Sequence, residues 1–368
     1  MSELTENRLF EQIATLLQSA RQKVVSTVNH TMVQTYFEIG RMIVEDELNG
    51  YERAKYAKSQ LKQLSQKLTQ QFGRGFSERN LQNMRQFYLL YSVPLFDESE
   101  MLKIQSNPQR VFAGLLNIQS IPQTVSAELV NKETEPRYFP LSWSHYQKLM
   151  RITDPYERQF YEIEAAKNNW SLRELERQYD SALFTRLALS KNKEDIRTLA
   201  LQGQIIEKPT DLVKDPYILE FLGLQELPSY SENELEHRLI DKLEHFLLEL
   251  GSGFAFIGRQ QRISFDEQHF YIDLVFYNRL LRCFVLIDLK IGKLKHQDIG
   301  QMQMYVNYYD REMRLEGENK TIGIILCQDK TESLVKYTLP EDNDQIFASK
   351  YQTALPSKEA LLALLENI

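Results

Sequence analysis

With 368 residues and a formal net charge of −7, the chain is long enough for two or three domains with sizeable cores, and its acidic balance gives no reason for bulk adhesion to nucleic acid, so contact with a polyanion needs a local basic patch. Its two cysteines, Cys283 and Cys327, lie in apolar runs and read as reduced core residues of a cytoplasmic protein, and there is neither a disulfide framework nor a zinc-spaced Cys/His set. No apolar run approaches the roughly 20 residues that span a bilayer, the N-terminus MSELTENRLF lacks a signal-peptide pattern, and no Walker loop, Gly-x-Gly-x-x-Gly or Gly-x-Ser-x-Gly is present, which removes support from membrane, ATP-driven and serine-hydrolase readings.

From about residue 8 to 92 the chain is free of proline and reads as consecutive helices. Ile13, Leu16, Leu17 and Val24 form one helical stripe, 31–49 repeats the pattern, and Asn49-Gly50 reads as its C-terminal cap. A helix over 54–72 carries Leu61, Leu64 and Leu68. Gly73 and Gly75 break it, and Ser77 is a good N-cap for the next helix, with Leu81, Met84 and Tyr88 on its apolar side. This helix–turn–helix order ends in an Arg/Asn/Gln-rich helix, the residue types that pair with guanine and adenine edges. Arg74, Arg79, Asn80, Asn83 and Arg85 are therefore the candidate nucleic-acid contacts. Between residues 51 and 90 eight basic residues stand against two acidic ones, a local excess in an otherwise acidic chain. The competing reading is a solvated helical face or a protein-contact module.

Residues 93–138 hold no clear periodicity and are punctuated by Pro94, Pro108, Pro122 and Pro136, which reads as an irregular or disordered connector. A second helical set runs from Ser142 to about Ala200, with Asp154 and Pro155 opening one helix and Ser171 capping another. Residues 1–200 are thus an all-α region. A linker follows over 201–230, with Pro209, Pro216 and Pro228, and contains a small apolar stripe of Ile218, Phe221 and Leu222.

The remaining 231–368 reads as an α/β domain. A helix over 231–250 buries Leu239, Leu243, Phe246, Leu247 and Leu250, with Glu236 on or beside that stripe and Glu232, Asp241 and Glu244 outside it. A strand over 254–264 leads into a hairpin, 270–277 and 282–290. Asp273 and Asp288 sit inside runs that otherwise read as core, where a carboxylate is costly unless paired, protonated or metal-bound. Asp288 and Lys290 share a face, and a loop of even length brings Asp273 to the same face; an odd loop scatters the three. Converging carboxylates can hold a hard divalent cation, and an adjacent lysine can orient or help deprotonate water and stabilise charge on phosphate. The bland alternative is a pair of aspartates in salt bridges with Arg259, Arg262 or Arg282. A helix carrying Gln301 and Tyr305 on one face, a strand over 321–327, a strand over 345–351 and a final helix over 357–367 complete the chain.

Asp273 followed by Asp288-Leu289-Lys290, in an α-β-β-β-α-β order, resembles the signature and core of the PD-(D/E)XK nuclease superfamily. Residues 300–305 look like the Gln-x-x-x-Tyr motif of part of that superfamily. The stretches 75–81, 168–178 and 246–256 are similar to the YhcG family, nucleases with a helical DNA-binding-type N-terminal region. The resemblance covers most of the chain and is weakest across 93–138. It implies a restriction-endonuclease-like domain with a mixed central sheet and a nuclease using Mg²⁺, or Mn²⁺ as substitute. Metal ligation would fall to Asp273 and Asp288 with help from Glu236, and water activation to Lys290. Gln301 and Tyr305 would support the site, and Arg259, Gln260 and Arg262 would contact phosphates. DNA is the expected partner, with a homodimer favoured if both strands of a duplex are cut. The rival reading is a catalytically silent nucleic-acid-binding or protein-interaction platform on the same fold.

Overall fold

The computed structural model describes residues 2–49, 54–92, 138–189, 193–224, 230–265 and 267–355. The connector expected over 93–138, apart from Tyr138, and the final helix expected over 357–367 lie outside the described residues. The chain divides into two units, Met1–Leu172 and Arg173–Ile368.

In the first unit the two N-terminal stripes belong to one helix, α1 (Ser2–Asn49), followed by α2 (Ala54–Phe72) and α3 (Glu78–Tyr91). Nothing between the stripes breaks a helix, so the backbone carries through. The Ser77 side chain accepts the Asn80 N–H and caps α3 as its position predicts. Leu81 and Met84 pack with Ile43 of α1 and with Leu61, Leu64 and Leu68 of α2. A methyl group on Gly40 would lie 2.1 Å from the Met84 carbonyl oxygen, so α1 and α3 cross there at a distance only glycine permits. Two further helices, α4 (Trp143–Leu149) and α5 (Pro155–Lys167), complete the unit. The Asp154 carboxylate caps α5 and Pro155 fills its first position. Phe87, Phe139 and Tyr146 meet with ring centroids 4.9–5.5 Å apart and are fully buried, so these three rings are core.

The second unit opens with α6 (Leu172–Asp180), α7 (Leu183–Leu189) and α8 (Lys193–Gln202). A short strand β1 (Tyr217–Ile218) lies in the segment read from composition as a linker, and Leu212, Tyr217, Leu219, Leu222 and Leu224 are buried in the main core. The helix over 231–250 breaks at Lys242 into α9 (Glu232–Asp241) and α10 (Leu243–Leu250). The sheet follows with β2 (Phe254–Phe265), β3 (Gln268–Asn278) and β4 (Cys283–Lys293). Then come α11 (His296–Tyr308), β5 (Ile322–Asp329), α12 (Glu332–Thr338) and β6 (Ile346–Gln352).

The six strands run in the order β1-β6-β5-β4-β3-β2. β2, β3 and β4 pair antiparallel, whereas β4, β5, β6 and β1 pair parallel, so the sheet is mixed as expected. One sheet face, with Phe276, Val285, Ile287 and Ile324, packs against Leu235 and Leu239 of α9 and Phe246 of α10. The other, with Val275, Leu286 and Ile325, packs against Ile299, Met302 and Val306 of α11.

A buried ionic cluster ties α6 and α7 to the sheet domain. Glu249 of α10 is fully buried. Arg186 Nη1 donates to its Oε1 (2.6 Å), as does the Ile218 N–H (3.0 Å), and Arg177 Nη1 donates to Oε2 (3.3 Å). The buried Lys214 ammonium donates to the Glu249 carbonyl. Burial opposes ionisation of Glu249, but Arg186, Lys214 and Arg177 outweigh it and hold its pKa down to about 2.

Candidate active site

The hairpin decides the site. β3 and β4 pair from Asn278↔Cys283 to Leu274↔Ile287, leaving a turn over 279–282, an even number of residues. Asn278 fixes that turn: its Oδ1 accepts the N–H groups of Leu280 and Leu281, and its Nδ2 donates to the Ser252 carbonyl. One further step of the same register sets Asp273 opposite Asp288, on a shared face. There the strands part, and the Leu289 N–H turns to Asp273 Oδ2 (2.8 Å).

Asp288 is buried, and its Oδ2 lies 2.8 Å from Lys290 Nζ while taking no well-formed hydrogen bond. Burial, followed by repulsion from Asp273 and opposed by Lys290, pushes its pKa up to about 7. Burial likewise raises Asp273, against the pull of the Leu289 N–H and Lys290. Burial pulls Lys290 downward, but the neighbouring Asp288 carboxylate outweighs it, and the lysine is held more firmly as an ammonium.

Gln260 joins this row from β2. The flanking pairs Arg259↔Leu274 and Gln261↔Ile272 place it opposite Asp273, and its backbone is left-handed, with φ +47°. Its Nε2 donates to Glu236 Oε2 (2.6 Å) and to Asp273 Oδ1 (3.0 Å), so one amide holds two carboxylates together. Glu236 is buried and its pKa is raised, chiefly by that burial. Gln260, expected at a phosphate, therefore sits among the carboxylates, while Arg259 and Arg262 are exposed.

Glu232, which helical phase placed outside, reaches the same corner. Its Oε1 accepts the Ile291 N–H (3.1 Å), and its Oε2 lies 4.0 Å from Lys290 Nζ. The i, i+4 spacing of Glu232 and Glu236 was the available signal. Gln301 donates to the Tyr305 hydroxyl, and Tyr305, buried, donates to the Tyr271 carbonyl (2.9 Å). This pair props the backbone of β3 two residues before Asp273.

A divalent cation fits this donor set in one respect and not in another. Asp288 Oδ2 is a buried oxygen short of donors, opposite a second carboxylate, and one or two carboxylates suffice for Mg²⁺ when substrate oxygens complete the shell. Among the described residues no group of three or more His, Cys, Asp or Glu side chains forms a ready metal cage. The residues fit a two-carboxylate site, with Glu236 joined to it through Gln260.

In the first unit the candidate contacts separate. Arg74 and Arg79 are exposed, and Asn83 lines a cavity beside α3. Arg85 is paired with Glu47 (2.7 Å). Asn80 Oδ1 accepts from Trp143 Nε1 (2.9 Å) and Gln147 Nε2 (3.1 Å), and its Nδ2 donates to the Gly75 carbonyl (2.6 Å). Spacing could not show these partners, since two of them lie more than 60 residues away in sequence.

Two family models match: a YhcG PDDEXK nuclease domain over residues 210–365 and a DUF1016 N-terminal domain over residues 12–186. The Escherichia coli (strain K12) protein YhcG, named provisionally as a nuclease, is 38% identical over 354 residues, covering 96% of this chain and 92% of that protein. Among solved structures, a repair endonuclease from Pyrococcus abyssi aligns at 21% identity with a TM-score of 0.25, over 35% of this chain and 50% of that one. A protein in an EndoMS-dsDNA2 complex aligns at 18% identity with a TM-score of 0.26, over 36% and 49%. The match spans about half the length of each of these structures. With both halves matched by the models and its sequence aligned almost end to end with YhcG, this chain belongs to the YhcG family, whose C-terminal part is a nuclease domain of the PD-(D/E)XK type.

Proposed function

We propose that the chain is a divalent-metal-dependent nuclease that hydrolyses phosphodiester bonds in DNA, with Mg²⁺ as its ion and Mn²⁺ as a substitute. The observation that carries this reading is the opposition of a buried carboxylate, Asp288, and a half-buried one, Asp273, with a single lysine to balance them. Such a site has a deficit of positive charge, which a divalent cation would make good, with substrate phosphate oxygens filling the rest of its coordination shell. Asp273 and Asp288 would hold the ion, with Glu236 contributing once released from Gln260. When bound, the ion would lower the pKa of water and stabilise negative charge on the phosphate.

The protein's own groups divide the remaining work. Lys290, kept cationic by Asp288, acts as a donor to water and to the phosphate oxygens rather than as a base. Gln260 sets the spacing of Glu236 and Asp273. Gln301 and Tyr305 hold β3 in place behind Asp273. Exposed Arg259 and Arg262 approach the DNA backbone. Binding falls to the first unit and cleavage to the second, whose core takes in residues before 231 as well as the sheet that follows. Among the described residues no helix is long and apolar enough to cross a membrane, and we place the enzyme in the cytoplasm. Two copies act where both strands of a duplex are cut.

The test is incubation of the purified protein with supercoiled plasmid, linear duplex, branched DNA and RNA, in Mg²⁺, Mn²⁺ or EDTA, beside Asp288→Ala/Lys290→Ala. Metal-dependent cleavage falling by at least about 10³-fold in the double variant is the expected result. Binding without cleavage of any substrate would replace this reading with the silent platform.

A further inference from the structure

The polar face of α3 does not stand free. With α4 and the residues after it, it forms a half-open cavity of about 530 Å³ within the first unit. Arg79, Asn83 and Gln86 line it from α3, and Gln147 and Arg151 line it from the other side. None of the described residues lining it is acidic, so the cavity carries two guanidinium groups and no carboxylate. Its walls are tied by Asn80, whose Oδ1 accepts from both Trp143 and Gln147 of α4 and whose amide is anchored to the Gly75 carbonyl. Asn80 is thereby a brace of the cavity, with its oxygen and one amide hydrogen already committed.

This geometry conflicts with simple major-groove reading by α3. The major groove is about 12 Å wide, and a helix with its side chains is already about 10–12 Å across. A second helix tied to the same face through Asn80 has to be accommodated beside it, which widens what would enter the groove. A concave site of this size, within the roughly 300–1,000 Å³ of ordinary small-ligand pockets, suits a base that has left its stack. Amides such as Asn83, Gln86 and Gln147 can then meet its Watson–Crick edge, and Arg79 and Arg151 its flanking phosphates.

We propose that the cavity between α3 and α4 binds an unpaired nucleotide, so that the N-terminal region selects single-stranded, bulged or branched nucleic acid over continuous duplex. The inference rests on the nucleic-acid reading above and adds to it the substrate class and two residues, Gln147 and Arg151. DNA and RNA share the chemistry of an unpaired base and its phosphate, and the measurement separates them.

The experiment is fluorescence anisotropy with the full chain in EDTA, which halts metal-dependent cleavage. Labelled probes are a 20-nucleotide DNA strand, the same strand as RNA, its perfect duplex, and that duplex with one bulged nucleotide. We expect single-stranded and bulged probes of at least one sugar type to bind at least about tenfold more tightly than the duplex. Arg79→Ala and Arg151→Ala should each weaken that binding by roughly tenfold, and Gln86→Ala should narrow the gap between bulged and perfect duplex. Exposed Lys320→Ala, in the second unit, controls for net charge and should change nothing. Both arginines are exposed, and thermal melting of each variant verifies that the fold is kept. Duplex bound as tightly as single strand, or unchanged affinity in both arginine variants, would overturn the cavity proposal while leaving nucleic-acid binding intact. No binding of any probe by the parent chain would overturn the nucleic-acid reading and this inference with it.

Discussion

Two buried carboxylates of the second unit have been driven in opposite directions. Glu249 is fully buried, yet its pKa is held down to about 2. Asp288 is nearly as buried, and its pKa is pushed up to about 7. Burial penalises both charges; the balance of neighbours differs. Glu249 faces Arg186, Lys214 and Arg177, whereas Asp288 faces one lysine and a second aspartate. A compensated carboxylate is a structural clamp, and an undercompensated pair is a place for a missing cation. Both residues are acidic side chains in apolar runs of sequence, so composition cannot tell them apart.

The strongest way to break this comparison is to neutralise each carboxylate in turn. Glu249→Gln strands the buried Arg186 and Lys214, and should cost about 3–5 kcal/mol of stability in denaturant unfolding. Asp288→Asn relieves repulsion with Asp273 and should change metal-free stability by less than about 1 kcal/mol. Equal losses in the two variants would end the distinction.

Acid titration probes the clamp next. The Glu249 pKa lies below its unfolded value of 4.5, so its contribution is complete above that pH and is lost as pH falls toward about 2. The loss should be about 3 kcal/mol, seen as an acid-side fall in Tm that is reduced in Glu249→Gln. An identical acid limb in parent and variant would show that other groups control it.

A cation should act on the other carboxylate alone. Mg²⁺ at about 100 times its Kd should stabilise the parent by roughly 2.7 kcal/mol, with little or no shift in Asp288→Asn. A shift of the same size in both proteins would place the ion elsewhere.

The smallest effect concerns Gln260. Removing its bridge leaves Glu236 and Asp273 without a shared donor, so Gln260→Ala should lower metal-free stability by about 1 kcal/mol and increase the further rise in Tm on adding Mg²⁺. A metal-free Tm unchanged from the parent would mean that the bridge contributes nothing.

Much of this was legible without coordinates, where the signal was local. Ser77 and Asp154 cap their helices by residue type and position. The YhcG family resemblance holds along the chain, and the mixed sheet it implies is the one observed. An even turn is enough to put Asp273 on the face of Asp288 and Lys290, but the turn's place at 279–282, which sets the two aspartates opposite, comes from the structure. The break at Lys242 and the joining of two stripes into α1 were not legible, because an amphipathic pattern gives the phase of a helix and not its continuity.

Which residues share a face within one element was readable from spacing alone: Asp288 with Lys290, Gln301 with Tyr305, Leu81 with Met84. The reason is that side-chain direction repeats every two residues in a strand and every 3.6 in a helix. It took the packed molecule to show that Gln260 bridges Glu236 and Asp273, that Glu232 approaches Lys290, that Arg85 is spent on Glu47 and Asn80 on α4, and that Arg186 and Lys214 meet at Glu249. Those partners come from different elements. Their meeting depends on how helices cross and strands part, which the period of a single element does not encode.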